Sequence, residues 1–273
     1  MLGSLADTAL DLVASLATLA GVWVAAQPAD ESHRFGHGKA EALSAMFQVI
    51  LIVLSAGAIA FRAVVRLVEG GRVEAAGQGI LVSVIAILAT FALLAWQRHV
   101  IRQTGSLAIR TDNVHYKSDL LLNLAVIAAL AIDQYLGFHR ADPLFGLGIA
   151  GWLLLGAWRA SREAVDNLMD REWPEEKRLR FIEHAARHPE LSKLHDLRTR
   201  TSGHRDFAQF HVDLPAEMTV GEAHAVIDRV EADLLAAFPG LELVIHIDPE
   251  GHVDEPGNTL VESDEFAKLE SKP

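Results

Sequence analysis

Two pairs of ionisable residues stand in or next to apolar stretches of this sequence, one pair in the first stretch and the other at the start of the fourth. Asp7 and Asp11 are four residues apart, and so are His115 and Asp119. On a helix, a spacing of four places both members of a pair on one face. A charged carboxylate in a membrane-spanning helix costs roughly 2.5–3.5 kcal/mol on insertion scales, and such residues usually mark an ion pathway. The two pairs are therefore the first candidates for chemistry.

Together the pairs offer three carboxylates and one imidazole, a four-coordinate set of the kind that Zn²⁺ accepts. The alternative is that these side chains only form hydrogen bonds between helices, or that Asp7 lies at the membrane interface. Asn123 and Asp133 lie further along the fourth stretch, where one lines a pathway or both simply pack between helices or lie at the far interface.

A second group, Asp30, His33 and His37, follows the first apolar stretch. The spacing D-x-x-H-x-x-x-H can place three ligands around one ion, and Gly36 and Gly38 make this segment pliable. The alternative is a loop whose polar side chains are simply solvated.

A third group lies near the C-terminal end and consists of His195, His211, His224, His246 and Asp248. His246 and Asp248 are two residues apart and so share one face of a strand. The chain has 13 His and no Cys, so a metal site must use imidazoles and carboxylates. These residues predict one or two zinc sites, with ordinary surface histidines as the alternative.

Five apolar stretches precede Asp170, each near the ~20 residues that a membrane-spanning helix needs. They are Leu2–Ala26, Ala42–Phe61, Gly79–Trp96, Leu120–Leu136 and Leu144–Trp158. We therefore predict a helical transmembrane domain over residues 1–170 that contacts the lipid bilayer. Buried helices of a soluble all-α protein are the alternative. The Lys and Arg bias of the connecting segments predicts that the region after Asp170 is cytoplasmic and that Met1 is on the other side.

Residues 171–249 predict a small two-layer α+β domain in the order α-β-β-α-β. Its elements are a helix at Pro174–His188, strands at Leu194–Thr201 and Phe207–Leu214, a helix after the capping box of Thr219 and Glu222, and a strand at Leu241–Asp248. Residues 250–273 are acidic and are predicted to be disordered. The net charge of −12 argues against a nucleic-acid partner.

Several motifs resemble the cation diffusion facilitator family, in its bacterial zinc and ferrous-iron efflux branch. They are the segment from Gln27 to Glu41, Asp7-Thr8-Ala9-Leu10-Asp11, His115-Tyr116-Lys117-Ser118-Asp119, His195-Asp196-Leu197-Arg198-Thr199-Arg200 and Val244-Ile245-His246-Ile247-Asp248-Pro249. The resemblance runs from near Met1 to about Pro249.

The resemblance implies that Asp7, Asp11, His115 and Asp119 form a transport site, that Asp30, His33 and His37 form a linker site, and that His195, His211, His224, His246 and Asp248 form a paired-metal site. It further implies a homodimer with a metallochaperone-like cytoplasmic domain, a salt bridge between Lys39 and Asp170, and a multi-pass location in the bacterial inner membrane.

Two departures from the family stand out. Ile247 stands where close relatives carry a polar residue, which puts one supporting contact in doubt. The family also has six spans, and the first is missing here. We therefore expect that the natural reading frame starts upstream or that the chain is a truncated form.

The function expected from these features is efflux of Zn²⁺ in exchange for protons, with Cd²⁺ and Fe²⁺ as further metals. Metal requires neutral imidazole and ionised carboxylates, so protonation would release it. One rival is a membrane-anchored zinc hydrolase, although the sequence has no H-E-x-x-H motif. The other is a non-transporting metal sensor or regulatory protein derived from a shortened transporter.

Overall fold

The structure is a computed structural model that describes residues 2–69, 80–136, 140–191, 193–251 and 264–266. The side chains of residues 2–11, 69 and 80–86, and of several positions between 126 and 142, lie outside this description. The chain divides into two compact units, Met1–Leu168 and Met169–Pro273.

The first unit consists of long helices. They are α1 (Leu2–Ala25), α2 (Ala40–Glu69), α3 (Ile80–Thr104), α4 (Leu107–Leu136) and α5 (Ala141–Leu168). Each of the five predicted apolar stretches falls within one of them, extending at most one residue beyond an end of the helix, which confirms the helical architecture.

Small residues pack between these helices, while large apolar residues face outward. Ala56 on α2 and Ala157 on α5 are buried in the contact of those two helices. Phe61 and Trp158, by contrast, expose about 71% of their surface. Small residues at helix interfaces and large apolar residues outside are the pattern of a helical membrane domain.

Within the described residues, two helical segments are long and apolar enough to cross a membrane, Ala40–Val68 and Pro143–Leu168, and Leu12–Ala25 is a shorter apolar helix. That the other three predicted stretches also cross the membrane remains a prediction.

The second unit has the predicted order α-β-β-α-β. Its elements are α6 (Glu175–Ala185), β1 (Leu194–Ser202), β2 (Arg205–Leu214), α7 (Val220–Ala237) and β3 (Leu241–Pro249). The sheet order is β1-β2-β3, with β1 antiparallel and β3 parallel to β2. A parallel neighbour needs a crossover connection, and α7 supplies it.

The core of this unit lies between one face of the sheet and the two helices. Phe210 and Val212 of β2 pack with Phe181 of α6 and Leu234 of α7, and all four are almost fully buried. The predicted capping box is confirmed, because Thr219 and Glu222 exchange side-chain to backbone hydrogen bonds at the start of α7.

Three residues of the predicted disordered tail differ from that expectation. The backbone N–H of Glu265 donates to the carbonyl oxygen of Leu194 at 2.8 Å, and Phe266 packs against the core. The Glu265 carboxylate also pairs with Arg178. A backbone hydrogen bond, an ion pair and an apolar contact together offset the cost of ordering this short segment. The rest of the tail lies outside the described residues.

Candidate metal-binding sites

His115 and Asp119 lie one turn apart on α4 and face a common cavity. Nε2 of His115 is 3.8 Å from a carboxylate oxygen of Asp119, and the imidazole side chain is 9% exposed. The cavity has a volume of about 420 Å³, and Ser118, Arg62 and Arg66 also line it. A neutral imidazole and a carboxylate at this separation can both ligate one divalent cation.

Asp7 and Asp11 lie in α1, but their side chains are outside the described residues. The next turn of α1 is described, and there the hydroxyls of Ser15 and Tyr116 are hydrogen-bonded at 2.8 Å. This bond joins α1 to α4 beside His115. Convergence of all four predicted transport ligands remains a prediction. The side chain of Asp133 is also outside the description, and Asn123 donates to the backbone carbonyl of Asp119.

A buried polar cluster, which the sequence reasoning missed, lies one turn before His115. Gln48 of α2 and Gln97 of α3 donate from their amide nitrogens to the two carboxylate oxygens of Asp112 on α4, at 2.5 and 2.8 Å. The side-chain amide of Asn113 donates to Gln97 at 2.9 Å. We call Gln48, Gln97 and Asp112 the amide–carboxylate layer. The spacing of Asp112, His115 and Asp119, three and then four residues, was the signal that could have found it.

The structure brings the linker residues Asp30, His33 and His37 together. Their ligand atoms lie within 4.8 Å of one another. The carboxylate of Asp30 is 3.4 Å from Nδ1 of His33 and 3.3 Å from Nε2 of His37. Gly36, at a positive φ of 81°, turns the chain between the two histidines.

The loop holds the Asp30 carboxylate as an anion. The backbone N–H groups of His33 and Ser32 donate to it at 2.6 and 2.9 Å. The bond from His33 has the largest effect on the pKa of Asp30 and lowers it. Desolvation raises this pKa, but the two backbone hydrogen bonds outweigh that effect and the pKa is lowered. Nδ1 of His37 is buried and has no hydrogen-bond partner among the described residues. Two imidazoles and an ionised carboxylate form a ligand set suited to Zn²⁺.

Three histidines form a row across the sheet of the second unit. The strand register pairs His195 with His211 and His211 with His246. Ring centroids along the row are 5.4 and 4.5 Å apart. Because neighbours of His211 on β2 point into the core, the row lies on the sheet face away from α6 and α7. We call these residues the histidine row.

Asp248 joins the row from the end of β3. One of its oxygens is 2.8 Å from Nδ1 of His211 and 3.5 Å from Nε2 of His195. Burial raises the pKa of Asp248, but the hydrogen bond and charge of His211, with the other imidazoles, lower it overall. His195, His211 and Asp248 place their ligand atoms within 4.8 Å of one another. Two nitrogens and one oxygen leave a fourth position open for a further ligand.

The other predicted ligands of this unit differ in position. His246 is 3.4 Å from the second oxygen of Asp248 but largely exposed. His224 is exposed on α7 and pairs with Asp228, outside the group that converges on Asp248. Ile247 points to the opposite strand face from His246 and Asp248, because successive strand residues alternate.

Two acidic residues beside the row were not predicted as site residues. Asp196 sits at a bulge with a positive φ of 47°, is held by Arg198, and lies 3.8 Å from Nε2 of His211. Asp213 lies 3.9 Å from Nδ1 of His195. The bulge aims Asp196 toward the row, which alternation along a regular strand would not have indicated.

Lys39 and Asp170, the predicted salt-bridge partners, belong to different units. Within its own unit, Lys39 donates to the backbone carbonyl of Leu168 at 3.3 Å. Asp170 lies 3.4 Å from a guanidinium nitrogen of Arg200. The salt bridge between them remains a prediction.

The chain is similar to known proteins over almost its whole length. The family profile described as the cation efflux transmembrane domain matches residues 1–169, and the one described as the cation efflux protein cytoplasmic domain matches residues 173–250. The cation-efflux pump FieF of Klebsiella pneumoniae is 43% identical over 249 residues, 91% of this chain and 83% of the relative. The FieF of Escherichia coli O127:H6 is 42% identical over the same shares. A solved zinc form of CzrB is 36% identical, with 32% of this chain and 99% of that chain covered and a TM-score of 0.28.

Proposed function

Because the chain belongs to the cation efflux family, and is thus a membrane transporter of divalent metal rather than an enzyme, we propose that it exports Zn²⁺ from the cytoplasm in exchange for protons. Cd²⁺ and Fe²⁺ are further substrates under this proposal, since the same nitrogen and oxygen ligands accept them. The proposed location is the bacterial inner membrane, with the chain acting as a homodimer.

One observation carries the proposal: the imidazole of His115 and the carboxylate of Asp119 face one cavity inside a helical membrane domain. Ionisable side chains in that position are energetically costly and therefore usually mark an ion pathway. In the proposed site, Asp7 and Asp11 complete a tetrahedral set from α1. The Ser15–Tyr116 hydrogen bond supports this arrangement, because it fixes the next turn of α1 against α4.

Proton coupling follows from the chemistry of this ligand set. A metal ion needs the unprotonated nitrogen of His115 and ionised carboxylates, so metal and protons compete for one site. Histidine changes charge in the physiological pH range. In the proposed cycle, metal enters from the cytoplasm and an external proton on His115 helps to release it.

The direction of opening is also part of the proposal. The cavity is lined along α2 from Ile52 to Arg66 and by Pro143 at the start of α5, all toward the predicted non-cytoplasmic ends. The amide–carboxylate layer lies on the other side of His115. This arrangement supports an outward-open state in which the layer closes the cytoplasmic side.

The test is zinc flux into sealed proteoliposomes under an imposed pH gradient. The wild-type chain should accumulate Zn²⁺ and move protons in the opposite direction, whereas His115→Ala should abolish both movements. His99→Ala, which removes an exposed imidazole elsewhere in the same unit, is the matched control and should transport normally. Wild-type flux in His115→Ala would refute the site, and metal binding without any flux in the wild type would favour a metal sensor.

The selectivity test uses the same assay. His115→Asp would give four carboxylates, a harder set that favours Mn²⁺ relative to Zn²⁺. Competition between the two ions should therefore shift toward Mn²⁺, and an unchanged preference for Zn²⁺ would mean that another set of residues selects the metal.

A further inference from the structure

Another group of metal-ligating side chains lies on the helical layer of the cytoplasmic domain. His184 is in the last turn of α6, His188 follows the helix, and Asp233 is on α7. Nε2 of His184 is 2.7 Å from one carboxylate oxygen of Asp233, and Nε2 of His188 is 3.1 Å from the same oxygen. We call these three residues the interhelix cluster. None of them is in the transport, linker or histidine-row sites.

Local structure explains why the two imidazoles meet at one oxygen. The end of α6 tightens into turns in which Arg187 and His188 donate from their backbone N–H groups to His184 and Ala185, each at 3.1 Å. A spacing of four residues then brings both side chains to the same side of the chain. The His184 ring packs nearly perpendicular to the ring of Phe238, with 5.9 Å between the ring centroids, which holds that imidazole in place.

We propose that the interhelix cluster is a divalent-cation site of the zinc class, with Nε2 of His184, Nε2 of His188 and one oxygen of Asp233 as its three protein ligands. Two imidazoles and a carboxylate, with a water in the fourth position, form a common open zinc set. On binding, each ring coordinates through Nε2 and keeps one proton on Nδ1, so a neutral ring transfers its Nε2 proton to Nδ1 through solvent and a cationic ring releases it to solvent; the metal replaces the two hydrogen bonds. The two nitrogens lie on different sides of the shared oxygen and are further apart than the 4.8 Å spread of the linker residues and the histidine row, so Zn–N distances near 2.0–2.1 Å require a side-chain rotation that draws them together.

The groups are in a suitable state for this role. The two histidines are about four-fifths buried, whereas the Asp233 carboxylate is half exposed and reachable from the cytoplasm. Hydrogen bonds from His184 and then His188 lower the pKa of Asp233, so the carboxylate is ionised at neutral pH. A metal ion requires such an ionised carboxylate, and it competes with protons for the imidazole nitrogens.

The interhelix cluster is physically separate from the histidine row. Helices α6 and α7 cover the sheet face that carries Phe210 and Val212, while His211 between them faces the other way. The two groups therefore lie on opposite sides of the sheet. A metal held by ligands from both helices would join α6 to α7 and stabilise the folded domain. The inference goes beyond transport and does not depend on it.

The test uses the full-length chain in detergent, in a background with Asp119→Ala, His33→Ala and His211→Ala, so that the other three sites each lack a ligand. Zinc bound at equilibrium is measured by dialysis and elemental analysis, with melting temperature and circular dichroism as folding checks. The background protein should bind one equivalent of zinc per chain at the interhelix cluster, and the added change His188→Gln should remove that equivalent. His204→Gln, at an exposed histidine of the turn between β1 and β2, is the matched control and should retain the equivalent.

Two outcomes would overturn the site. In the first, the background binds no zinc, or His188→Gln binds as much as the background does. In the second, His188→Gln lowers the melting temperature of the metal-free protein but leaves the number of bound zinc ions unchanged. The three residues would then only form hydrogen bonds that stabilise the fold. If His188→Gln fails to fold, Asp233→Asn replaces it with the same expected loss. A failure of transport would appear in the His115→Ala experiment and not in this one.

Discussion

The side-chain amide of Gln48 donates to Asp112 at 2.5 Å and so joins α2 to α4 one turn before His115. Gln97 holds the other carboxylate oxygen from α3. All three side chains are at most 7% exposed, and no Lys or Arg pairs with Asp112 among the described residues. A carboxylate held between two amides from two helices fixes the relative position of three helices beside the proposed transport site.

The first prediction concerns this layer. Asp112→Asn keeps the size of the side chain but replaces one carboxylate oxygen with an NH₂ group. That group is a donor, so it cannot accept the hydrogen bond from one of the two glutamine amides. Losing a hydrogen bond to a charged group costs about 1.5–3 kcal/mol. If that energy stabilises the state closed to the cytoplasm, the maximal zinc flux should fall by roughly tenfold to a hundredfold, since 1.4 kcal/mol is a factor of ten.

The half-saturating zinc concentration should change much less than the flux in Asp112→Asn, because the proposed ligands are intact. Thr104→Ala, at the exposed end of α3, is the control and should have normal flux. Normal flux in Asp112→Asn as well would remove the layer from the mechanism.

The second prediction uses the absence of cysteine from the chain. Ser118 lines the cavity beside His115, so Ser118→Cys introduces a single thiol there. In sealed vesicles, a membrane-impermeant maleimide should react with it from the non-cytoplasmic side, and bound Zn²⁺ should slow the reaction. Thr104→Cys, at the predicted cytoplasmic end of α3, should react from the opposite side. Labelling of Ser118→Cys from the cytoplasmic side alone would contradict the proposed outward-open cavity.

The third prediction concerns pH and the start of α7. The hydroxyl and backbone N–H of Thr219 lower the pKa of Glu222 below its ordinary value. A lowered pKa in the folded state means that the interaction stabilises the fold above the unfolded-state pKa and is lost as pH falls through the folded-state pKa. Thr219→Ala should therefore lower the melting temperature of the cytoplasmic domain at pH 7, and the difference from wild type should shrink in acid. A difference independent of pH would show that the loss is not linked to the Glu222 charge.

The parts of the sites that follow from local spacing could be predicted from the sequence. Asp30, His33 and His37 lie within one short loop, so their spacing alone brings them together. His246 and Asp248 share a strand face by alternation. The strands around His195 and His211 could also be assigned, and a hairpin between them implies that they are neighbours.

The parts that depend on how elements pack could not be predicted in this way. Asp112 meets Gln48 and Gln97 only because three helices take one particular rotation against each other. His184 and Asp233 are 49 residues apart in sequence and meet through the packing of α6 on α7. His224 also depends on packing, since in this chain it pairs with Asp228 on α7, and its predicted role as a ligand stays a prediction.

The last prediction separates His211 from His224 as zinc ligands. His211 is central in the histidine row and 2.8 Å from Asp248, whereas His224 is exposed and paired with Asp228. A ligand that binds only the folded state stabilises it, by about 2.7 kcal/mol at a hundredfold excess over the dissociation constant. Zinc should therefore raise the melting temperature of the cytoplasmic domain in the full-length chain. His211→Ala should remove the part of that rise that the histidine row supplies and leave the part that the interhelix cluster supplies, whereas His224→Ala should preserve the whole rise. Equal losses in both variants would mean that His224 reaches the metal in an arrangement that a single chain does not contain, such as the proposed homodimer.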